Sequence, residues 1–320
     1  MTSATSALPA PGRLRTYASF VRFEHTLFSL PLILAGVFSA RGPALSAGRW
    51  ALVAVAAVGA RTAAMTLNRL IDRRLDARNP RTASRELPAG RMKLAEAVVL
   101  LVASTAAYAA ACAALGPWYL RVAVVPFAVF ALYPYLKRFT PLCHAGVGVA
   151  LALAPLAGFA AAHPRLEDSP PAWGLAAFAL FWVTGFDIIY ATLDEAFDRG
   201  AGVHSLVVWL GRGRALRVSW ALHVCAMLAL GWTLWRLAFR LDHDAPSVYT
   251  YIMAPLTGWA NPVPLAATTI CFAATVALLW LEQRWAENVN LAFFKTNIAV
   301  GVFVLLAVLA ARLTGGGYFY

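Results

Sequence analysis

The sequence predicts an all-α integral membrane protein of about nine transmembrane helices, and three observations carry that reading. First, 61% of the 320 residues are hydrophobic and only 13% are charged, against roughly a quarter charged in soluble domains. So little charge cannot cover a soluble surface, and a disordered chain needs the opposite balance. Second, the uncharged residues form long solid runs instead of alternating, which fits helices and not barrel strands. Third, the basic residues are spread unevenly between the runs. Four cysteines without CxxC pairing are too few for a disulfide scaffold and read as reduced packing residues.

In chain order, the runs free of Asp, Glu, Lys and Arg are 25–40, 50–60, 97–120, 122–136, 139–164, 169–186, 218–235, 245–281 and 296–311. The second continues past Arg61 to Leu67. The eighth is too long for one crossing and Asn261-Pro262 divides it. That leaves a span over about 264–281 and an interfacial loop with Tyr249, Tyr251 and Trp259. Residues 1–16 read as a flexible tail and 17–320 as a single membrane domain. Arg13, Arg15 and Arg22 lead into the first run in place of a cleavable signal peptide.

With the N-terminus inside, 19 Lys and Arg fall in inner segments and 7 in outer ones. The positive-inside rule therefore expects a cytoplasmic N-terminus, an external C-terminus and an odd number of spans, in a bacterial plasma or inner membrane. The formal charge of +12 is then a basic cytoplasmic face toward anionic lipid, and no nucleic-acid partner is needed to explain it. No obligate protein partner is evident.

Acidic residues number only 15, and six of them sit in two short stretches. One, Asn68 to Asp76, closes the second span; the other, Asp187 to Asp198, closes the sixth. Both ends are expected at one membrane face. Asn68, Asp72 and Asp76 are four apart and share a helix face, and Asp187, Asp194 and Asp198 are expected to do the same at intervals of seven and four. Like charges so placed repel unless cations sit between them. Asp and Asn oxygens suit Mg²⁺, which completes its octahedron with water and substrate phosphate. Arg69, Arg73, Arg74 and Arg78 crowd the first stretch and Arg199 follows the second; the mixture fits a metal-bridged polyphosphate better than either charge alone, the plain alternative being a charged cytoplasmic loop of Arg–Asp pairs.

At these residues the chain resembles the UbiA superfamily of intramembrane prenyltransferases. That family carries NDxxDxxxD and DxxxD motifs, matched here by Asn68, Asp72 and Asp76, and by Tyr190-Ala191 with Asp194 and Asp198. Arg69 stands where the family often has a second acid. A YxxxK element is matched by Tyr133 and Lys137. The segment from Asn79 to Gly90, and Ala292-Phe293-Phe294 with Asn297, are similar too. The likeness is strongest to the bacterial 4-hydroxybenzoate polyprenyltransferase branch of quinone synthesis. Phe23-Glu24-His25-Thr26 and Gly185 to Tyr190 resemble members linked to menaquinone made through futalosine.

The resemblance implies a UbiA-like helical bundle and transfer of a polyprenyl group from its diphosphate to an aromatic acid, with Mg²⁺ as cofactor. The acceptor stays open between 4-hydroxybenzoate and 1,4-dihydroxy-6-naphthoate. By motif, Asp72, Asp76, Asp194 and Asp198 hold the metals, with Asn68 as a further ligand. Lys137 and nearby arginines, Arg73 among them, meet phosphate oxygens. Residues 77–93, with Pro80, Pro88 and Gly90, form a lid against water. Asp187, near a membrane edge on the motif face, is expected either behind the metal ligands or beside the acceptor instead of on a metal, and Arg22 is a candidate for the acceptor's carboxylate. Tyr133 and Tyr190 are either cation or phosphate contacts or interfacial anchors. The six histidines, His144 included, show no ligand spacing and read as structural. The rival function is a cation-coupled membrane transporter, which expects acids near mid-membrane.

Overall fold

A computed structural model of the chain describes residues 12–22, 26–40, 44–239, 262–286 and 291–314. The 1–11 part of the tail, Phe23 to His25 and the interfacial loop at 240–261 lie outside the described residues, as do the side chains of Thr26 and of Ala292 to Phe294. Among the described residues there is no strand. The helices are α1 (Arg13–Phe20), α2 (Thr26–Ser39), α3 (Ala47–Arg78), α4 (Leu94–Leu115), α5 (Pro117–Val122), α6 (Val124–Leu136), α7 (Cys143–Ala162) and α8 (Pro170–Ala191). They continue as α9 (Glu195–Ala201), α10 (Leu206–Leu210), α11 (Arg212–Ala238), α12 (Pro262–Arg284) and α13 (Leu291–Thr314).

Eight described segments are long and apolar enough to cross a membrane, with α5 and α6 together making one of them. The 14-residue α2 is the short counterpart of the first run, so each of the nine runs has its helix. Helix boundaries differ from the runs where backbone chemistry overrides charge. The run 97–120 does not end at Arg121. Gly116 turns the chain at φ 139°, which favours glycine, and Pro117 opens the next helix. Conversely, α3 carries on from Leu67 to Arg78, so the first acidic motif rides the spanning helix itself. Helix α1 begins at Arg13, inside the stretch read as tail, and Arg13 pairs with Glu96 of α4.

The bundle is organised around α8. Leu175, Phe178, Ala179, Trp182 and Val183 are each no more than 1% exposed, and α8 packs along both α7 and α11. Helix α2 lies against α7 and α13, while α3 pairs with α4. Where α8, α12 and α13 meet, the indole Nε1 of Trp182 donates to Asn297 Oδ1 at 3.0 Å, and Asn297 Nδ2 donates to Glu282 Oε1 at 3.0 Å. Asn297, noted in the sequence, therefore ties the core together. What this packing leaves open is a cavity of about 980 Å³, bounded by α3, α6, α7 and α8.

Candidate active site

The cavity is polar at one end and apolar along its length. Val53, Ala57, Ala64, Pro126 and Leu151 line its walls, and it reaches Trp118, Tyr119 and Trp173 at the opposite end. There Arg49 donates to the Tyr119 hydroxyl at 2.9 Å and to the Ala161 carbonyl at 3.1 Å, while that hydroxyl donates to the Ala160 carbonyl at 2.9 Å. This clasp closes the end away from the acids.

The polar end is built first by α3. Its pitch puts Asn68, Asp72 and Asp76 on one face, all lining the cavity. Asp72 is 1% exposed. Its Oδ2 accepts from Lys137 Nζ at 2.6 Å and from Asn68 Nδ2 at 3.3 Å. Its Oδ1 is buried without a hydrogen bond, with Arg138 3.6 Å away. Both oxygens of Asp76 accept from Arg85 at 2.8 Å.

The second motif is assembled differently, and here the expected single helical face is corrected. Helix α8 stops at Ala191. The amides of Thr192, Leu193 and Asp194 donate to Ile189, Tyr190 and Ala191, a tighter i→i+3 turn, and Thr192 Oγ1 turns back onto the Ile189 carbonyl at 2.7 Å. Asp194 then precedes the short α9, which carries Asp198. Thus Asp187 belongs to one helix and Asp198 to another. Asp194 accepts from Asn79 Nδ2 and from Arg81 Nε, each at 2.8 Å, and from a second nitrogen of Arg81. Burial alone lifts the Asp194 carboxyl, but the bonds from Arg81 and Asn79 outweigh it and hold it below the usual range. Burial, then the neighbouring Asp194 charge, pushes Asp198 up to about 6.

The segment from Asn79 to Arg85 thus bridges the two motifs, with Arg85 on Asp76 and Arg81 on Asp194. Its chain is fixed by Thr82, whose hydroxyl donates to the Asp76 carbonyl at 3.0 Å. A second brace runs opposite. The His204 amide donates to the Lys137 carbonyl at 2.8 Å, Cys143 Sγ donates to the His204 carbonyl at 3.3 Å, and the Leu206 amide donates to His144 Nε2 at 3.4 Å. Residues 204–206 therefore strap the end of α6 to the start of α7.

Of the residues expected from sequence, Asn68, Asp72, Asp76, Asp194, Asp198, Lys137, Tyr133, Asp187, Tyr190 and Arg22 all line this cavity. Tyr190 also lies under the Arg81 guanidinium, 5.3 Å from its ring centre. Arg73 does not join them. It is exposed, about 100° around α3 from Asp72, and it bonds the Leu70 carbonyl at 3.0 Å. Arg81 and Arg85 face the acids instead. Sequence reading passed over both, although their spacing of four was a signal. His144, which by spacing alone reads as structural, has its Nδ1 2.7 Å from Asp187 Oδ2. Nothing in the spacing shows that pair, 43 residues apart.

Among the described residues, no three carboxylate, imidazole or thiol side chains close on one point; Asp72, Asp76 and Asp194 each face a basic partner. The donor set nevertheless suits a hard cation. It is all oxygen, and Asp72 offers a buried oxygen that no hydrogen bond uses.

The chain has relatives in sequence and in fold among known proteins. Residues 29–299 match the profile of the UbiA prenyltransferase family. The chain belongs to that family. A 4-hydroxybenzoate octaprenyltransferase of Cupriavidus necator is 30% identical over 286 residues, covering 82% of this chain and 98% of that one. The apo structure of a UbiA homolog from Aeropyrum pernix K1 superposes with a TM-score of 0.71 at 30% identity, over 88% of this chain and 95% of that one. A UbiA homolog from Archaeoglobus fulgidus, bound to GPP and Mg²⁺, shares the fold with a TM-score of 0.66 at 18% identity, over 94% and 100%. The UbiA-family chain described here is a membrane prenyltransferase. It transfers a polyprenyl group to an aromatic acceptor, with diphosphate as the leaving group.

Proposed function

We propose that the acceptor is a small aromatic acid, 4-hydroxybenzoate first, and that the reaction is Mg²⁺-dependent at the cytoplasmic face. The observation that carries this reading is the meeting of both acidic motifs at one end of a long apolar cavity. The relatives named as 4-hydroxybenzoate octaprenyltransferases support the acceptor, and the homolog holding GPP and Mg²⁺ supports the metal. The sequence from Gly185 to Tyr190 supports 1,4-dihydroxy-6-naphthoate as the second reading.

Asn68, Asp72, Asp76, Asp194 and Asp198 are the residues to hold the ions. Bound there, Mg²⁺ supplies Lewis-acid neutralisation of the departing diphosphate. Lys137, Arg81 and Arg85 stand where phosphate oxygens enter, and each can exchange a carboxylate partner for phosphate. The apolar walls take the isoprenoid and keep water from the allylic cation. The C1–O bond to diphosphate breaks, a ring carbon beside the hydroxyl bonds C1, and that carbon's proton is lost. Asp187 faces the cavity and accepts the hydrogen bond of the acceptor hydroxyl, raising electron density on the ring. Arg22 meets the acceptor carboxylate.

Membranes containing the protein, given radiolabelled polyprenyl diphosphate, should prenylate 4-hydroxybenzoate or the naphthoate and stop when EDTA is added. Full turnover in excess EDTA overturns the metal assignment. Failure with both acceptors overturns the acceptor assignment. The orientation follows from the 19-to-7 bias of basic residues. A C-terminal reporter active only in the cytoplasm should stay silent, and a strong signal reverses the assignment.

A further inference from the structure

Asp187 and His144 form a pair inside the cavity that neither metal binding nor phosphate binding uses. His144 opens the first turn of α7 and is 3% exposed. Its Nδ1 is 2.7 Å from Asp187 Oδ2 on α8, and both residues line the cavity. Helix packing sets the distance. One turn further along α7, Gly148 meets Thr184 of α8 so closely that a Cβ there would lie 2.2 Å from the Thr184 hydroxyl. The absence of a side chain lets the two helices close up.

The other ring nitrogen decides where the proton sits. Leu206 is the first residue of α10, so its amide has no acceptor within the helix. It donates to His144 Nε2 at 3.4 Å. With Nε2 facing that amide, Nδ1 is the ring nitrogen that donates to Asp187. The strap that supplies Leu206 is itself held by the Ser205 side chain, which accepts from the Val208 amide at 3.2 Å. One oxygen of Asp187 is thereby occupied, and the Asp187 side chain keeps 32% of its surface exposed.

We propose that His144 is a positioning residue for the aromatic acceptor, fixing Asp187 so that its second oxygen receives the acceptor hydroxyl. This rests on the acceptor role given to Asp187 above. The imidazole does not touch the acceptor; it sets the rotamer of the carboxylate that does. Without the Nδ1 donor, Asp187 swings and the ring nucleophile is misaligned with C1 of the prenyl group, an error to which rates are sensitive.

The test compares His144→Leu, His144→Asn and Asp187→Asn in the membrane assay, varying each substrate in turn. An asparagine amide nitrogen occupies nearly the place of Nδ1 and can donate to Asp187, whereas leucine cannot. His144→Leu should lower kcat/KM for the acceptor about ten- to hundredfold, as expected for a lost hydrogen bond to a charged group. KM for the polyprenyl diphosphate should hold. His144→Asn should recover most of the loss. The double variant of His144→Leu with Asp187→Asn should be no worse than Asp187→Asn alone. Normal acceptor kinetics in His144→Leu overturns the proposal. So does a matched loss for both substrates that asparagine fails to restore, together with a lowered melting temperature, since that marks a packing role. If the unmutated protein prenylates and Asp187→Asn does so normally, the acceptor role of Asp187 fails instead, and the proposal with it.

Discussion

In the first acidic motif, Asn68, Asp72 and Asp76 ride one uninterrupted helix; in the second, the chain leaves the helix between Asp187 and Asp194. The first is positioned by its own backbone, and its two carboxylates are 1% and 7% exposed. The second is positioned from outside, by a three-residue turn and by Asn79 and Arg81 reaching from the other motif's loop. Equal spacing in sequence therefore hides unequal mechanics. A motif carried on a spanning helix inherits the bundle's rigidity. A motif carried past a helix end needs partners, and here the first motif's loop supplies them.

Substitution can break or sharpen this contrast. The largest effects should come from Asp72→Ala and Asp194→Ala. Each should cut product formation by about a thousandfold or more, because charge on a departing diphosphate is left uncompensated in a poorly solvated site. If the motifs serve one site, as proposed, the double variant should be scarcely worse than either single one. Additive losses would separate the motifs into independent sites.

Next in size is Lys137→Met, which leaves the buried Asp72 carboxylate without its closest cation. Losing one partner of such a pair costs about 3 kcal/mol or more in stability. The melting temperature should fall and product should drop with it. An unchanged melting curve would mean that Arg138 replaces the lysine.

Asn79→Ala addresses the asymmetry itself. It removes a donor from Asp194 while leaving the Asp194 carboxylate in place. Product should fall roughly tenfold, from about 1.4 kcal/mol of lost positioning. Asn68→Ala removes a longer and weaker bond to a residue the helix already holds. If Asn68 acts only as that donor, its loss is the smaller; a larger loss marks it as a metal ligand.

The smallest effect belongs to Thr192→Val. It deletes the hydroxyl that caps the Ile189 carbonyl, worth about 1 kcal/mol. Thermal stability should dip slightly and product should stay near normal, because the backbone bonds of the turn remain. A severe loss of product would assign the turn itself, and not Asn79 and Arg81, the task of holding Asp194.

Much of this was legible in the sequence because hydrophobicity and helical period are local properties. The nine runs, the solid apolar character and the first motif's shared face all follow from neighbours a few residues apart. The misplaced boundaries at Gly116 and Arg78 show the limit, since helices end where backbone chemistry ends them and not where charges begin. The break after Ala191 was hidden for a related reason: Thr192 competes for a backbone carbonyl without any glycine or proline to announce it. Arg73 was chosen by nearness in sequence to Asp72, yet one residue along a helix is a turn of about 100°. Arg81 and Arg85 are not singled out by sequence, and His144 reads there as structural, because the contacts that give them work are tertiary. His144 meets an aspartate from another helix and an amide from a third segment, and no pattern in the chain brings those together.

The strap at 204–206 has a consequence for how this protein can be altered. It grips the carbonyl of Lys137 on one side and the ring of His144 on the other. Any insertion, deletion or repacking of those three residues reaches the Lys137–Asp72 pair and the His144–Asp187 pair in one step. A designer who wishes to change the aromatic partner alone must leave this segment intact and work on the chamber wall. If Lys137 meets the diphosphate and Asp187 the acceptor, as proposed, a lineage that drifts here retunes its two substrates as a linked trait.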